Sequence, residues 1–239
     1  MRGTLEAVGF TLIALVASPL LAQRSDDDVR AEIEKLLSKE KIQLQVSVED
    51  KTAKLIGQVR NVFQKNQALE IALAQPEVET VEPDVEIAAA ESDQKLGEAV
   101  VKEVRRYSRF TVFDDVSAYV DGGNVALFGW VTEPYKKVEI EKRLHNVIGI
   151  ANFKNDIEVL PLSSSDDRVR QAVYRNIYRD PTFSDFASMT IPPIHIIVSG
   201  SRVILTGVVN SQLMKQKAES IARGTPGVLS VESRLRIGS

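Results

Sequence analysis

The 239-residue chain has no cysteine and only two histidines, His145 and His195. The first absence excludes disulfides, thiolate metal sites, cysteine nucleophiles and lipid attached to a cysteine. The two histidines lie in different parts of the sequence. No H-x-x-x-H pair, phosphate-cradling glycine loop or G-x-S-x-G turn accompanies them. Without a nucleophile-base arrangement or a ligand set, no catalytic residue, metal site or cofactor is assigned, and the chain reads as a non-enzyme. A basic excess is missing too. With 30 Lys+Arg against 33 Asp+Glu the formal charge is −3, which argues against general nucleic-acid binding.

What is present is the composition of a folded protein, 44 % hydrophobic and 26 % charged. One apolar run stands apart, from Ala7 to Leu21, after Met1-Arg2 and before Ala22-Gln23. It falls short of the ~20 residues that span a bilayer. It contains Pro19 and is followed by Arg24 and three aspartates, the layout of an export signal over residues 1–22. An uncleaved anchor is the alternative. Either one puts the remainder outside the cytoplasm.

That remainder repeats itself. Lys54-Leu-Ile-Gly-Gln-Val59, Ala126-Leu-Phe-Gly-Trp-Val131 and Ile204-Leu-Thr-Gly-Val-Val209 align on Gly57, Gly129 and Gly207, with periods of 129 − 57 = 72 and 207 − 129 = 78. Val48, Val120 and Val198 precede the glycines at one common offset. Val78, Ile150 and Val228 follow at another, and Val85, Ile157 and Leu235 at a third. Each unit reads as helix, strand, strand, helix, strand. The first helices carry Val29, Ile33, Leu36 and Leu37, or Leu96, Val100 and Val104, or Val169, Val173 and Ile177 at helical spacing. Asp28, Asp93 and Asp167 are the candidate caps of their first turns. The second helices bury Ala68 and Ala72, Ile140 and Leu144, or Ala218 and Ala222. The expected architecture is α/β (α+β): three tandem αββαβ modules at 26–91, 93–161 and 165–238, each a small mixed sheet with two helices on one face.

The V-x-L-x-G-x-V strand, the following G-V turn and the final I-x-V strand resemble the BON domain of exported bacterial proteins. The resemblance covers about residues 26–238. It departs at Glu77, where the family turn carries glycine. It implies the αββαβ fold and a role in cell-envelope maintenance or osmotic stress, with phospholipid binding reported for some members.

Two surfaces are candidates for binding. Charge is uneven: residues 26–91 hold 8 basic and 15 acidic side chains, whereas residues 165–239 hold 10 and 6. In the basic third unit, Arg168, Arg170, Arg175 and Arg179 flank the apolar stripe beside Tyr174 and Tyr178. An insertion around Pro181–Pro193 adds Phe183, Phe186 and Met189. Together they suit an anionic phospholipid surface, where each cation contributes roughly 1 kcal/mol. The alternative is that the aromatics pack within their own unit. The second surface is the sheet face turned from the helices: Tyr119, Phe128 and Trp130 in unit two, and Ile197, Ile204 and Val208 in unit three. Such apolar backs tend to be covered, so the two sheets are expected to pack on each other or on a partner. Asp156 and Glu158 are candidates to complement Arg234 and Arg236 at the rim, with four solvated charges as the favoured alternative. The functional expectation is a non-catalytic envelope protein contacting anionic phospholipid. A protein-protein scaffold without lipid binding, and a small-ligand or ion-binding stress protein, are the alternatives.

Overall fold

The computed structural model describes residues 24–238, so the signal assigned to residues 1–22 lies outside the described residues. No helix among the described residues is long and apolar enough to cross a membrane. The first module comprises α1 (Asp26–Lys39), β1 (Gln45–Glu49), β2 (Thr52–Val59), α2 (Val62–Leu73) and β3 (Thr80–Ile87). The second comprises α3 (Asp93–Arg105), β4 (Asp115–Asp121), β5 (Asn124–Val131), α4 (Pro134–Leu144) and β6 (Asn152–Val159). In the third, α5 (Ser164–Arg179) is followed by a 3-10 turn at Pro181–Phe183 and the short α6 (Ser184–Ala187). Then come β7 (Ile194–Ser199), β8 (Arg202–Val209), α7 (Gln212–Arg223) and a divided last strand, β9 (Ser230–Ser233) and β10 (Arg236–Ile237).

Each sheet is mixed. The first two strands form an antiparallel hairpin, and the last returns parallel to the second after the crossover helix. The hairpins close on two residues with positive φ: Asp50 and Lys51, Gly122 and Gly123, Gly200 and Ser201. That is the primed turn whose twist matches paired strands. The carbonyl of the second turn residue then accepts from the chain entering the third strand: Lys51 from Glu79 at 2.9 Å, Gly123 from Ala151 at 2.8 Å, Ser201 from Leu229 at 2.9 Å.

Alternation puts Leu55, Val59, Leu127, Val131, Leu205 and Val209 under the helices, all buried. They meet the helix residues read from the sequence, Ile33, Val100, Val173 and the Ala68, Ile140 and Ala218 positions, in three cores. Fully burying one such aliphatic side chain contributes roughly 1.5–3 kcal/mol. The helix caps differ from expectation. Ser25, Ser92 and Ser163 supply the oxygens that accept from the first turns, because a short hydroxyl in extended backbone reaches an amide three residues on. Asp28, Asp93 and Asp167 sit inside the helices, where their charge favours the dipole.

Candidate interaction surfaces

The aromatic surface expected on the third module is largely interior. Phe183 and Phe186 belong to the module's core, Phe183 with no exposure at all. The insertion bearing them folds back beneath the end of α5 as short helical turns rather than projecting. Tyr178 is buried, its hydroxyl donating to the Ile194 carbonyl at 2.6 Å and accepting from the Ile194 amide at 3.2 Å. Burial pushes its pKa upward. Arg170 is buried as well, donating to the Val198 carbonyl at 2.7 Å and to Asp167. Tyr174 is half-buried between Tyr178 and Phe113 of the second module. These five residues are therefore structural parts of the third module and its joint. Arg168, Arg175, Arg179 and Met189 remain exposed.

The sheet backs divide in the same way. Ile197 is buried and Ile204 and Val208 are half-buried. On the second module Trp130 is half-buried, but Tyr119 is 62 % and Phe128 47 % exposed. Trp130 donates through Nε1 to Glu158 at 3.1 Å, and the Arg234 guanidinium of the third module lies 5.2 Å from its ring centre. The candidate rim pairs do not form among the described residues. Arg234 bonds Glu232 two residues earlier at 2.6 Å, and Asp156 pairs with Lys154 at 2.8 Å, since partners on the same strand are nearer. Glu232 is held below the usual carboxylate range by Arg234.

Joints between modules are built from residues with no obvious sequence signature. Between the second and third, the segment before β4 lies along the β7 edge. The Ile196 amide donates to the Val112 carbonyl at 2.8 Å, and His195 Nδ1 is 2.6 Å from the Asp114 carbonyl oxygen. Val112 itself is buried in the third core, and Phe110 meets the His195 ring edge-on. Between the first and second, Asn61 is fully buried and donates to the carbonyls of His145 at 2.9 Å and Val147 at 2.7 Å. Its own oxygen accepts from the Gln64 amide, capping α2. Flanking backbone bonds run from Val62 to Ile150 and from Gly149 to Arg60. Phe63 stacks on His145 at 4.2 Å, and burial there pushes the imidazole pKa down.

The sequence profile of the BON domain matches three times, over residues 25–89, 92–161 and 165–239. The chain belongs to the BON domain family. No protein of curated function matches it. Among solved structures, CdsD, a structural protein of the type III secretion system of Chlamydia trachomatis, aligns at 14 % identity and a TM-score of 0.26, covering 88 % of this chain and 92 % of its own. The periplasmic domain of the type III secretion inner-membrane protein PrgH from S. typhimurium aligns at 14 % identity and a TM-score of 0.21, covering 87 % and 100 %. Likenesses this distant carry no functional inference.

The first BON domain keeps its last turn despite Glu77. Gly149 and Gly227 adopt φ of +92° and +89° at this position, whereas φ at Glu77 is not positive. The side chain instead accepts from Arg24, Nε to Oε1 at 2.9 Å and Nη2 to Oε2 at 2.5 Å, tying the start of the domain to its turn. The Arg24 hydrogen bonds pull the Glu77 pKa down to about 2. Asn61 is the joint's centre. Asn61→Ala should reduce stability by about 2–4 kcal/mol, losing a cap and leaving one buried and one part-buried carbonyl without their donor. Asn61→Ser, which restores only the cap, should recover the smaller part. Denaturant unfolding of the three proteins checks this, and a change below about 0.5 kcal/mol for the alanine variant contradicts it.

Proposed function

We propose that this BON protein is an exported, non-catalytic scaffold of the cell envelope that holds protein partners on surfaces left free by its own joints. Family membership supports the compartment and the role. The observation that carries the scaffold reading is the back of the second sheet. Tyr119 and Phe128 stay exposed on adjacent strands there while the neighbouring Trp130 is covered by Arg234. A paired aromatic face bordered by a finished domain joint fits a protein interface, where tyrosine and phenylalanine are enriched. A photo-crosslinking residue at position 119, introduced into the producing cell, should trap discrete protein adducts that Phe128→Ser diminishes several-fold. Uniform labelling unaffected by Phe128→Ser contradicts the reading.

A second reading rests on Arg168, Arg175 and Arg179. They lie along the exposed side of α5, with no ion pair among the described residues. Spaced by two turns and then one, they form a basic strip suited to anionic headgroups, without the aromatic anchors expected from sequence. Sedimentation with phosphatidylglycerol vesicles at low salt should show binding that the triple change to Glu abolishes. Equal sedimentation of both proteins rejects the strip.

A further inference from the structure

Among the described residues, the first BON domain leaves open a site that the third fills with a segment of the second. In a hairpin closed by two residues, the facing pairs Ser47/Lys54 and Gln45/Ile56 exchange their backbone bonds, so Val46 and Val48 turn their amides and carbonyls away from β2. Ile196 and Val198 hold the corresponding places in the third domain, where both are used. Ile196 donates to Val112, and Val198 accepts from Arg170. Around them, Phe113 packs on Tyr174 and Phe110 on His195. Position by position, Glu34 replaces Tyr174, Leu44 replaces Ile194, Gln45 replaces His195 and Ile56 replaces Thr206. These four line a groove of about 570 Å³ beside the β1 edge. In the third domain this place is taken by the second domain's 106–114 link, whereas the first domain's own link, residues 40–44, only lines the groove.

We propose that the β1 edge and this groove bind an extended segment of a partner protein, with an apolar residue in the place of Val112 and basic side chains beside it. The inference rests on the scaffold reading and names one surface and its ligand chemistry. An unpaired strand edge is a template for another strand, with backbone bonds giving affinity and pockets giving selectivity. The basic requirement follows from charge. Among the described residues, Glu34 is the one charged side chain on the groove wall, and residues 26–91 carry 15 acidic against 8 basic side chains.

The probe is a labelled peptide of residues 109–114 carrying Asp114→Lys, titrated into the full chain with hydrogen exchange read at single amides. Saturable binding should slow exchange at Val46 and Val48 by about tenfold or more. Glu34→Lys should weaken it about tenfold, and Val46→Pro, which removes the outward donor, should do the same. The proposal is overturned by no saturation up to roughly 1 mM, by binding without protection at Val46 and Val48, or by equal binding of a scrambled peptide. Failure here with the Phe128-dependent adducts at position 119 retained removes the β1 site alone; loss of both removes the scaffold reading as well.

Discussion

Lys136→Met is expected to destabilise the second domain by about 3–5 kcal/mol, although methionine occupies the corresponding place in the third domain as Met214. Lys136 lies on the inward stripe of α4, one turn before Ile140, and its ammonium bonds the carboxylate of the fully buried Asp114 at 2.6 Å. Asp114 also accepts from the amides and hydroxyls of Thr111 and Thr132 at 2.8–3.0 Å. Removing the lysine leaves a charge in a site from which water is excluded, and that is the costly half of breaking an ion pair. The double variant Lys136→Met/Asp114→Asn removes the charge while keeping an acceptor for the threonines, so it should regain a substantial part of the loss. Thermal unfolding of wild type, both singles and the double forms the needed cycle. If the double is as unstable as the sum of the singles, the pair is not coupled and the argument fails. The same network fixes the loop whose Val112 and Asp114 carbonyls meet β7, so the single variant should also loosen the third domain's β7 edge, visible as faster exchange at the Ile196 amide.

The fold is legible in the sequence because its determinants are periodic. Leu55, Leu127 and Leu205 reach the core by alternation, and Val29, Ile33 and Leu37 by helical spacing, and both periods can be counted along one strand or helix. The joints are not legible, for the opposite reason. Asn61 carries no signal of its own, because one asparagine ahead of a helix is common, and only the approach of the His145–Val147 turn gives its amide two acceptors beyond its capping role. Lys136 does leave a signal, a charged residue in register with a buried stripe, but its partner Asp114 precedes β4 and nothing local joins the two. The insertion leaves two readings open because Phe183 and Phe186 between prolines carry no period, and the structure takes the one in which they pack within their own unit. Apolar residues in a loop suit a membrane or a core equally well, and the decision lies in whether the chain folds back under α5. Charge is a partial guide there: Arg168, Arg175 and Arg179 stay on the surface, where desolvation does not oppose them, but Arg170 is buried because the Val198 carbonyl and Asp167 satisfy it.

The glycine that marks the repeat should not be equally necessary in its three copies. A Cβ at Gly207 would sit 1.9 Å from the Pro193 carbonyl oxygen, and one at Gly129 would sit 2.1 Å from that of Asp115. Both positions have positive φ, +101° and +121°, so alanine adds backbone strain to a collision with main chain. At Gly57 the nearest atom is Leu44 Cδ2 at 3.1 Å, the end of a side chain facing the open groove, and the Gln43 carbonyl oxygen is 3.7 Å away. Gly207→Ala is therefore expected to cost more than about 3 kcal/mol, with β7 displaced from β8 at its start and the hydrogen bond from Ile196 to Val112 broken as a result. Gly57→Ala should cost about 1–2 kcal/mol, since φ remains unfavourable but the obstacle can rotate away. Denaturant unfolding of the two variants gives the comparison, and equal losses would show that backbone conformation alone dictates glycine here. A smaller loss at Gly57 would tie the tolerance of the first domain to the open groove into which Leu44 can rotate, the same groove that borders its β1 edge.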